Sequence, residues 1–565
     1  MGFSGGLVRG NTGRKMPEGT MVRVRSLLIF LAVAAFLSRV YPLHLSPYPF
    51  NNDSLAVCGI STEILDSSHL TYSHSAPWSN THSVNTPFFS ILIAFVAGAI
   101  GVTPLQCAQF VTACISVLTA CCFFLLGRKI SNSILGGFAA GLGAVLMGTF
   151  VFTTGSAWNE ALGMALLVLA VYAFVHRVEL RFRILTFVLL MTLPLVHHLV
   201  AATAFFALSY LLVWSWYFAL SKGVARKRHL DDLFIIAIPI IFTAAYYGLV
   251  SFDRLSMLSS PVKLLLLFLS FVLMSLVSIW ILMLRSHSKW TFSPVVGVGL
   301  VILLLLDYSG LVFPYRPSVS ELYVLLIFVS GYLFAIAWYG TEMILEARPL
   351  FRAVQLALLM SPLTIVGYGL LGGLSTVSHQ VVYRSFDQLD PFIFLGLSAA
   401  LVFIRGRHKR VYPAIGMLVV MSLALSFPFA YESAQLLGVR HDTQHYEIDA
   451  LGWAKTRIDT TGVITDERLG YVSRSVFWLT KDASLPGYML KQNWIAPGWI
   501  CMSESSWTTS GVNFYPKGTV RIPISNYTQT TDAADLVYLG GPVADQAVIF
   551  IGSEMGQSII YRTLQ

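Results

Sequence analysis

Residues 264–284 read LLLLFLSFVLMSLVSIWILML, a run of 21 positions without a charged side chain. A helix crosses the hydrocarbon core of a bilayer in about 20 residues. A helix that is apolar all round has no stripe to turn toward water. The run therefore reads as a membrane span, and similar runs occur at Leu233 to Val250, Val295 to Leu306 and Val411 to Ala430. Composition agrees: 56% of the residues are hydrophobic and 12% charged, against roughly 25% charged in soluble domains.

Working outward, thirteen spans are expected, near 22–41, 106–126, 134–151, 160–176, 184–197, 199–220, 233–251, 263–284, 292–309, 321–340, 353–371, 391–404 and 411–430. Arg23 and Arg25 precede the apolar stretch Leu27 to Leu37, and no small-residue cleavage site follows, so the first span is read as uncleaved. The fold class is mainly α: a polytopic helical domain over 1–430, followed by a small outer-face α/β domain over 431–565. The loop 42–105 is long and polar at first, and Pro87 to Val102 is read as a helix lying along the interface. In the tail, Ala450 to Arg457 is helix-like. Gly462 to Thr465, Ser475 to Leu479, Asp535 to Leu539, Ala547 to Ile551 and Ser558 to Tyr561 are strand-like. Asn526-Tyr527-Thr528 is a glycosylation sequon, consistent with an outer location.

The net charge is +9. The basic residues sit in short clusters between spans, with no basic face carrying interleaved aromatics, and this excludes a nucleic-acid partner. Of the 37 Lys and Arg residues, 22 fall on one side of the expected spans and 5 beside them on the other. That asymmetry places the N-terminus in the cytoplasm and the tail outside, in a multi-pass cell membrane protein. Cys107, Cys114, Cys121 and Cys122 lie in one apolar stretch and read as packing residues. Cys58 and Cys501 both fall in outer segments, which leaves a disulfide between them open.

Ionisable groups near a membrane are costly and concentrate at functional sites. On the expected outer face stand Asp53 in Asn51-Asn52-Asp53-Ser54, Glu160 after Thr154-Gly155-Ser156-Ala157-Trp158-Asn159, the pair His197-His198, Glu321 in Ser318-Val319-Ser320-Glu321, and Arg384 in Arg384-Ser385-Phe386-Asp387-Gln388-Leu389-Asp390-Pro391. Carboxylate oxygens suit Mg²⁺ or Mn²⁺, and a guanidinium clamps phosphate through paired hydrogen bonds. Asp53, Glu160 and Glu321 are thus the candidate catalytic and metal-holding residues. Arg384, His197 and His198 are the candidate donor-phosphate ligands. Each pattern also has a structural reading: Asn-Asn-Asp-Ser caps a helix, and Glu160 complements a helix dipole.

The layout resembles the GT-C glycosyltransferases that use lipid-linked sugar donors and, within them, the catalytic subunit of oligosaccharyltransferase. Asp53 matches the acidic residue of the family's first outer loop. Gly155-Ser156-Ala157-Trp158-Asn159-Glu160 resembles the second acidic motif, with Trp158 in place of its first acid. Ser318-Val319-Ser320-Glu321 matches the family's Ser-Val-Ser-Glu, and Arg384 resembles the arginine that meets the donor pyrophosphate. The family's Trp-Trp-Asp-Tyr-Gly has no counterpart. After Gly452-Trp453-Ala454-Lys455 the chain reads Thr465-Asp466-Glu467-Arg468-Leu469-Gly470-Tyr471. The resemblance implies transfer of a sugar or oligosaccharide from a polyprenyl (di)phosphate donor to a protein or glycan acceptor, with a divalent metal, Mn or Mg, as cofactor. The competing reading is a transporter or flippase, which would place ionisable groups in mid-membrane on repeat-related broken helices.

Overall fold

The computed structural model describes residues 18–70, 85–221, 227–250, 261–283, parts of 297–309, 322–371 except 348, 382, 384–431, 441–457, 462–482 except 478, 499–503, 512–514, 518–520 and 558–562. Its helices are α1 (Glu18–Val40), α2 (Asn52–Ser67), α3 (Phe88–Ile100), α4 (Pro104–Ser131), α5 (Ile134–Leu146), α6 (Gly148–Gly155), α7 (Asn159–Val175), α8 (Leu180–Val196), α9 (His198–Ser221), α10 (Lys227–Val250), α11 (Pro261–Met283), α12 (Leu322–Ala347), α13 (Pro349–Leu371), α14 (Asp390–Arg407), α15 (Tyr412–Ser426), α16 (His445–Arg457) and α17 (Glu467–Phe477).

The chain is a multi-pass membrane protein. Among the described residues nine helices are long and apolar enough to cross a bilayer, and a bent pair, α5 with α6, makes ten. The thirteen expected spans are met in part. Helices α7 and α8 have 17 residues each; at about 1.5 Å per residue they fall short of the ~30 Å core. The span expected at 292–309 lies partly outside the described residues. Helix α3 has 13 residues, too few to cross, and its length is compatible with an interfacial position.

Close approach between helices comes from small side chains, the usual device in lipid. Helix α12 meets α14 through Ala337 and Gly340 against Gly396 and Ala400; a Cβ on either glycine would run into the partner's backbone.

The expected straight span at 134–151 is instead broken. Met147 leaves the helix with φ −68° and ψ 117°, and α5 and α6 meet at 66°. The contacts across the break explain it. Gly148 N donates to Ser426 Oγ at 3.0 Å, and a side chain at Gly148 would collide with the Ser426 carbonyl. The stranded carbonyls of Ala144 and Val145 take hydrogen bonds from Arg39 Nη2 at 2.7 Å and Nη1 at 3.1 Å. Arg39, 1% exposed, also donates to Thr154 Oγ1 at 2.7 Å. Its acceptors are all neutral, and its charge sits at the negative end of the α5 dipole.

Helix α2 begins at a strained cap. Asn51 has φ 78° and ψ 141°, outside the regions open to most L-residues, and its side chain accepts from Asp53 N at 3.2 Å. The far side of α2 packs on the tail: Leu55 is buried with Leu451, Leu469, Val472 and Leu479. Helix α17 is capped by Asp466, whose Oδ1 accepts from Arg468 N and Leu469 N. The buried Arg468 donates to Glu447 Oε2 at 2.8 Å. Burial works against the Arg468 charge, but Glu447, Asp466 and Asp442 outweigh it and raise its pKa.

Strands β1 (Gly462–Ile464), β2 (Thr480–Asp482), β3 (Trp499–Ser503) and β6 (Ser558–Arg562) form a sheet in the order β2-β1-β3-β6. Strand β1 runs parallel to β2 and β3, and β3 antiparallel to β6. Strands β4 (Val512–Phe514) and β5 (Gly518–Val520) pair antiparallel. The strand expected at 475–479 is largely the end of α17, because the cap at Asp466 and the helical spacing of Leu469, Val472 and Val476 outweigh a local β-like run. The strands expected at 535–539 and 547–551, and the sequon at Asn526, lie outside the described residues. Cys58 is a buried free thiol, so the open disulfide to Cys501 is not formed. Its neighbours are Pro104, whose carbonyl is 3.7 Å from Sγ, and the apolar cluster of Val57, Phe89 and Ile93.

Candidate active site

Three chain segments converge where the sequence places its acidic groups. Asp53 sits in the first turn of α2, directly after the Asn51 cap. Glu160 sits in the first turn of α7, 5% exposed. Arg384 starts the helical turn that runs into α14, within the span Arg384–Arg407.

The Arg384 guanidinium is the hub. Its Nη2 lies 3.9 Å from Asp53 Oδ2, with both side chains about two-fifths exposed (36% and 40%). Glu160 and Asp387 also act on it electrostatically. The half-exposed Asp53–Arg384 pair faces solvent, whereas Glu160 is enclosed. His197 Nε2 stands 3.4 Å from Glu160 Oε1, both buried. His197 Nδ1 accepts from Val200 N at 3.3 Å, which assigns the proton to Nε2, the ring nitrogen that faces Glu160. His198 stacks on His197, ring centroids 5.0 Å apart.

The structure therefore brings together Asp53, Glu160, His197 and Arg384, with His198 behind them. Glu321 and its Ser-Val-Ser-Glu stretch lie outside the described residues. Trp158, where the resembled motif has its first acid, turns back onto α6: its Nε1 donates to Thr153 O at 2.5 Å and its ring meets Phe152 edge-on. Two acids not singled out in the sequence are also here. Asp387 engages Thr153 and faces Glu160. Asp390, 3% exposed, accepts from Thr149 Oγ1 at 3.3 Å. Their signal was the spacing 384, 387, 390, in which each step of three stacks along the 3-10 turn Asp387–Leu389.

Among the described residues no three His, Cys, Asp or Glu side chains form a cage for a metal ion. The donors present still fit a hard cation held in part by substrate. Asp53 and Glu160 supply carboxylate oxygens, and the buried Asn159 Oδ1 next to Glu160 in the chain has no hydrogen-bond partner among the described residues. Mg²⁺ in particular is often bound by one or two carboxylates, with waters and substrate phosphate completing the shell.

No protein-family model matches the chain, and no curated protein matches it in sequence. Solved structures do match in fold. The archaeal oligosaccharyltransferase AglB from Archaeoglobus fulgidus, solved with an inhibitory peptide and a dolichol-phosphate, aligns with a TM-score of 0.50 and 13% identity over 92% of this chain and 73% of that one. An Archaeoglobus fulgidus oligosaccharyltransferase complex with Zn and sulfate aligns at 0.47 and 16% identity, over 80% of this chain and 62% of that one. ArnT from Cupriavidus metallidurans, bound to undecaprenyl phosphate, aligns at 0.40 and 12% identity over 97% and 99%. The chain thus shares the overall fold of the archaeal oligosaccharyltransferase AglB.

Proposed function

We propose that this protein transfers a sugar or oligosaccharide from a polyprenyl (di)phosphate donor to a protein or glycan acceptor at the outer face of a cell membrane. In this reading the N-terminus is cytoplasmic, 1–430 form the catalytic membrane domain and 431–565 an extracytoplasmic domain. The observation that carries it is the pairing of Arg384 with Asp53 beside the enclosed Glu160–His197 pair, in a chain with this fold.

Each residue then has a physical task. Arg384 binds the donor phosphate with its planar fork, with His198 as a further ligand, whereas both ring nitrogens of His197 are taken up by Glu160 and Val200 N. Asp53 is exposed enough to meet an acceptor; its carboxylate takes the proton as the acceptor heteroatom bonds to the sugar's anomeric carbon. The bond from that carbon to the phosphate oxygen breaks, and the phosphate leaves with the electron pair, held by Arg384. Asp53, Glu160 and Glu321 would hold a divalent cation, Mn or Mg, which when bound supplies charge neutralisation for the departing phosphate. His197 keeps the Glu160 carboxylate oriented. The Trp158 and Thr465–Tyr471 departures leave acceptor choice separate from donor chemistry.

The test is lipid extraction from the protein purified in mild detergent, followed by mass spectrometry. Polyprenyl phosphates that copurify with the wild type and are depleted in Arg384→Gln support the reading. Equal recovery from both proteins contradicts it.

A further inference from the structure

One buried amide joins the two acid-bearing segments. Gln109, on the second turn of α4, is 0% exposed. Its Oε1 accepts from Phe50 N at 3.1 Å. Its Nε2 donates to Gly155 O at 2.7 Å and to Arg39 O at 2.6 Å. Two carbonyls on one side and an N–H on the other fix which end of the amide is nitrogen. Both amide protons and one lone pair are used, so no other residue type reproduces the set.

The three partners are informative by position. Phe50 directly precedes the Asn51 cap, and its own carbonyl is tied to Ser54 Oγ at 2.5 Å, so its placement sets the first turn of α2 and with it Asp53. Gly155 ends α6, and the short stretch Ser156-Ala157-Trp158 leads from it into Asn159 and Glu160 at the start of α7. Arg39 O lies in the last turn of α1 (Glu18–Val40), where the carbonyls of a helix lack intrahelical donors. The same α4 face also holds Thr154, whose carbonyl accepts from Ser116 Oγ at 3.0 Å. Asp53 and Glu160 belong to segments far apart in sequence, and Gln109 touches the backbone at Phe50, three residues before Asp53, and at Gly155, five residues before Glu160.

We propose that Gln109 is a positioning residue that sets the separation of Asp53 and Glu160. The inference rests on the reading of those two carboxylates as partners in the proposed reaction. Gln109 does not itself reach substrate. Its loss moves one carboxylate relative to the other, and misplacement of about 1 Å is enough to cost about 100-fold in rate.

The test uses the full-length protein with three variants. Gln109→Asn keeps the groups but shortens the reach, Gln109→Leu removes them, and Gln109→Glu keeps the volume and the acceptor and carries the test if the other two do not fold. Gln355→Leu is the control: Gln355 is equally buried on α13, and its amide has no partner among the described residues. Two readouts are independent of catalysis. The first is the distance between spin labels at Asp66 on α2 and Val178 beyond α7, in a background with Cys114 replaced by Ser. The second is Mn²⁺ binding followed by electron paramagnetic resonance. The expected result is a mean distance shifted by about 1 Å or more and Mn²⁺ affinity at least about tenfold weaker in folded Gln109 variants, both unchanged in Gln355→Leu. Folded Gln109 variants with the wild-type distance and affinity overturn the inference. A wild type that neither binds Mn²⁺ nor transfers sugar removes the proposed function, while the distance measurement still decides whether Gln109 spaces the two segments.

Discussion

Arg384 Nη2 stands 3.9 Å from Asp53 Oδ2, which links the cap of α2 to the start of α14. In the proposed reaction these groups act on opposite parts of the substrate pair, phosphate and acceptor. Asp53→Asn and Arg384→Gln should each lower transfer by about 100-fold or more, the usual loss when one charge-stabilising group is removed. Arg384→Lys should recover only part of it, because a point charge lacks the planar fork. Turnover with purified lipid-linked donor checks this, with monodispersity as the control for folding.

His197 is placed to orient Glu160, with its Nε2 3.4 Å from Oε1. His197→Leu removes that donor and should reduce activity by about 10- to 100-fold, as is typical for a group supporting a ligand. His197→Gln can still donate and should lose less. Comparing kcat and the Mn²⁺ concentration for half-maximal activity in the two variants tests the ordering.

Arg39 supports the bend between α5 and α6 by donating to two main-chain carbonyls and to Thr154. Arg39→Leu leaves buried acceptors unmet and should destabilise the fold by at least about 3 kcal/mol. A lowered melting temperature and earlier unfolding in an SDS titration are the expected readings.

His441 gives the fold an acid sensitivity. Burial beside Phe50 and Phe152 lowers its pKa from 6.5 to about 4; Asp442 opposes the shift and Arg468 adds to it. The unfolded chain protonates His441 near pH 6.5 while the native one stays neutral until about pH 4. The unfolded state thus binds more protons in this window, and stability falls as pH drops through it, by at most about 3 kcal/mol. Above pH 6.5 this group contributes no slope. Melting temperatures between pH 7.5 and 4.5 should fall less steeply in His441→Gln than in the wild type.

Much of this was readable in advance, for local reasons. The apolar runs gave the helices, because a span's signal is contained within its own 20 residues. Asp53 was marked by its capping context and Glu160 by its place at a helix start, and Arg384 was the lone cation in its segment. The bend at Met147 was not readable, since it depends on Ser426 and Arg39, both remote in sequence. Arg39 counts by sequence among the five basic residues beside the spans on the outer side, whereas it is buried inside the helix packing. Asp387 and Asp390 carry no signal of their own in the sequence beyond their spacing in steps of three from Arg384. The segment at 475–479 looked like a strand because Val476 and Phe477 suit either state, and only the Asp466 cap decides. The role expected of Glu321 falls outside the described residues.

The most direct measurement is transfer of radiolabelled sugar from total native lipid-linked donors by the purified protein, with Mn²⁺ or with chelator, in the wild type and in Asp53→Asn. The account predicts metal-dependent consumption of the donor with a labelled acceptor product in the wild type, and neither in Asp53→Asn. Donor left intact by folded wild-type protein in the presence of metal, or consumed equally by Asp53→Asn, would contradict it.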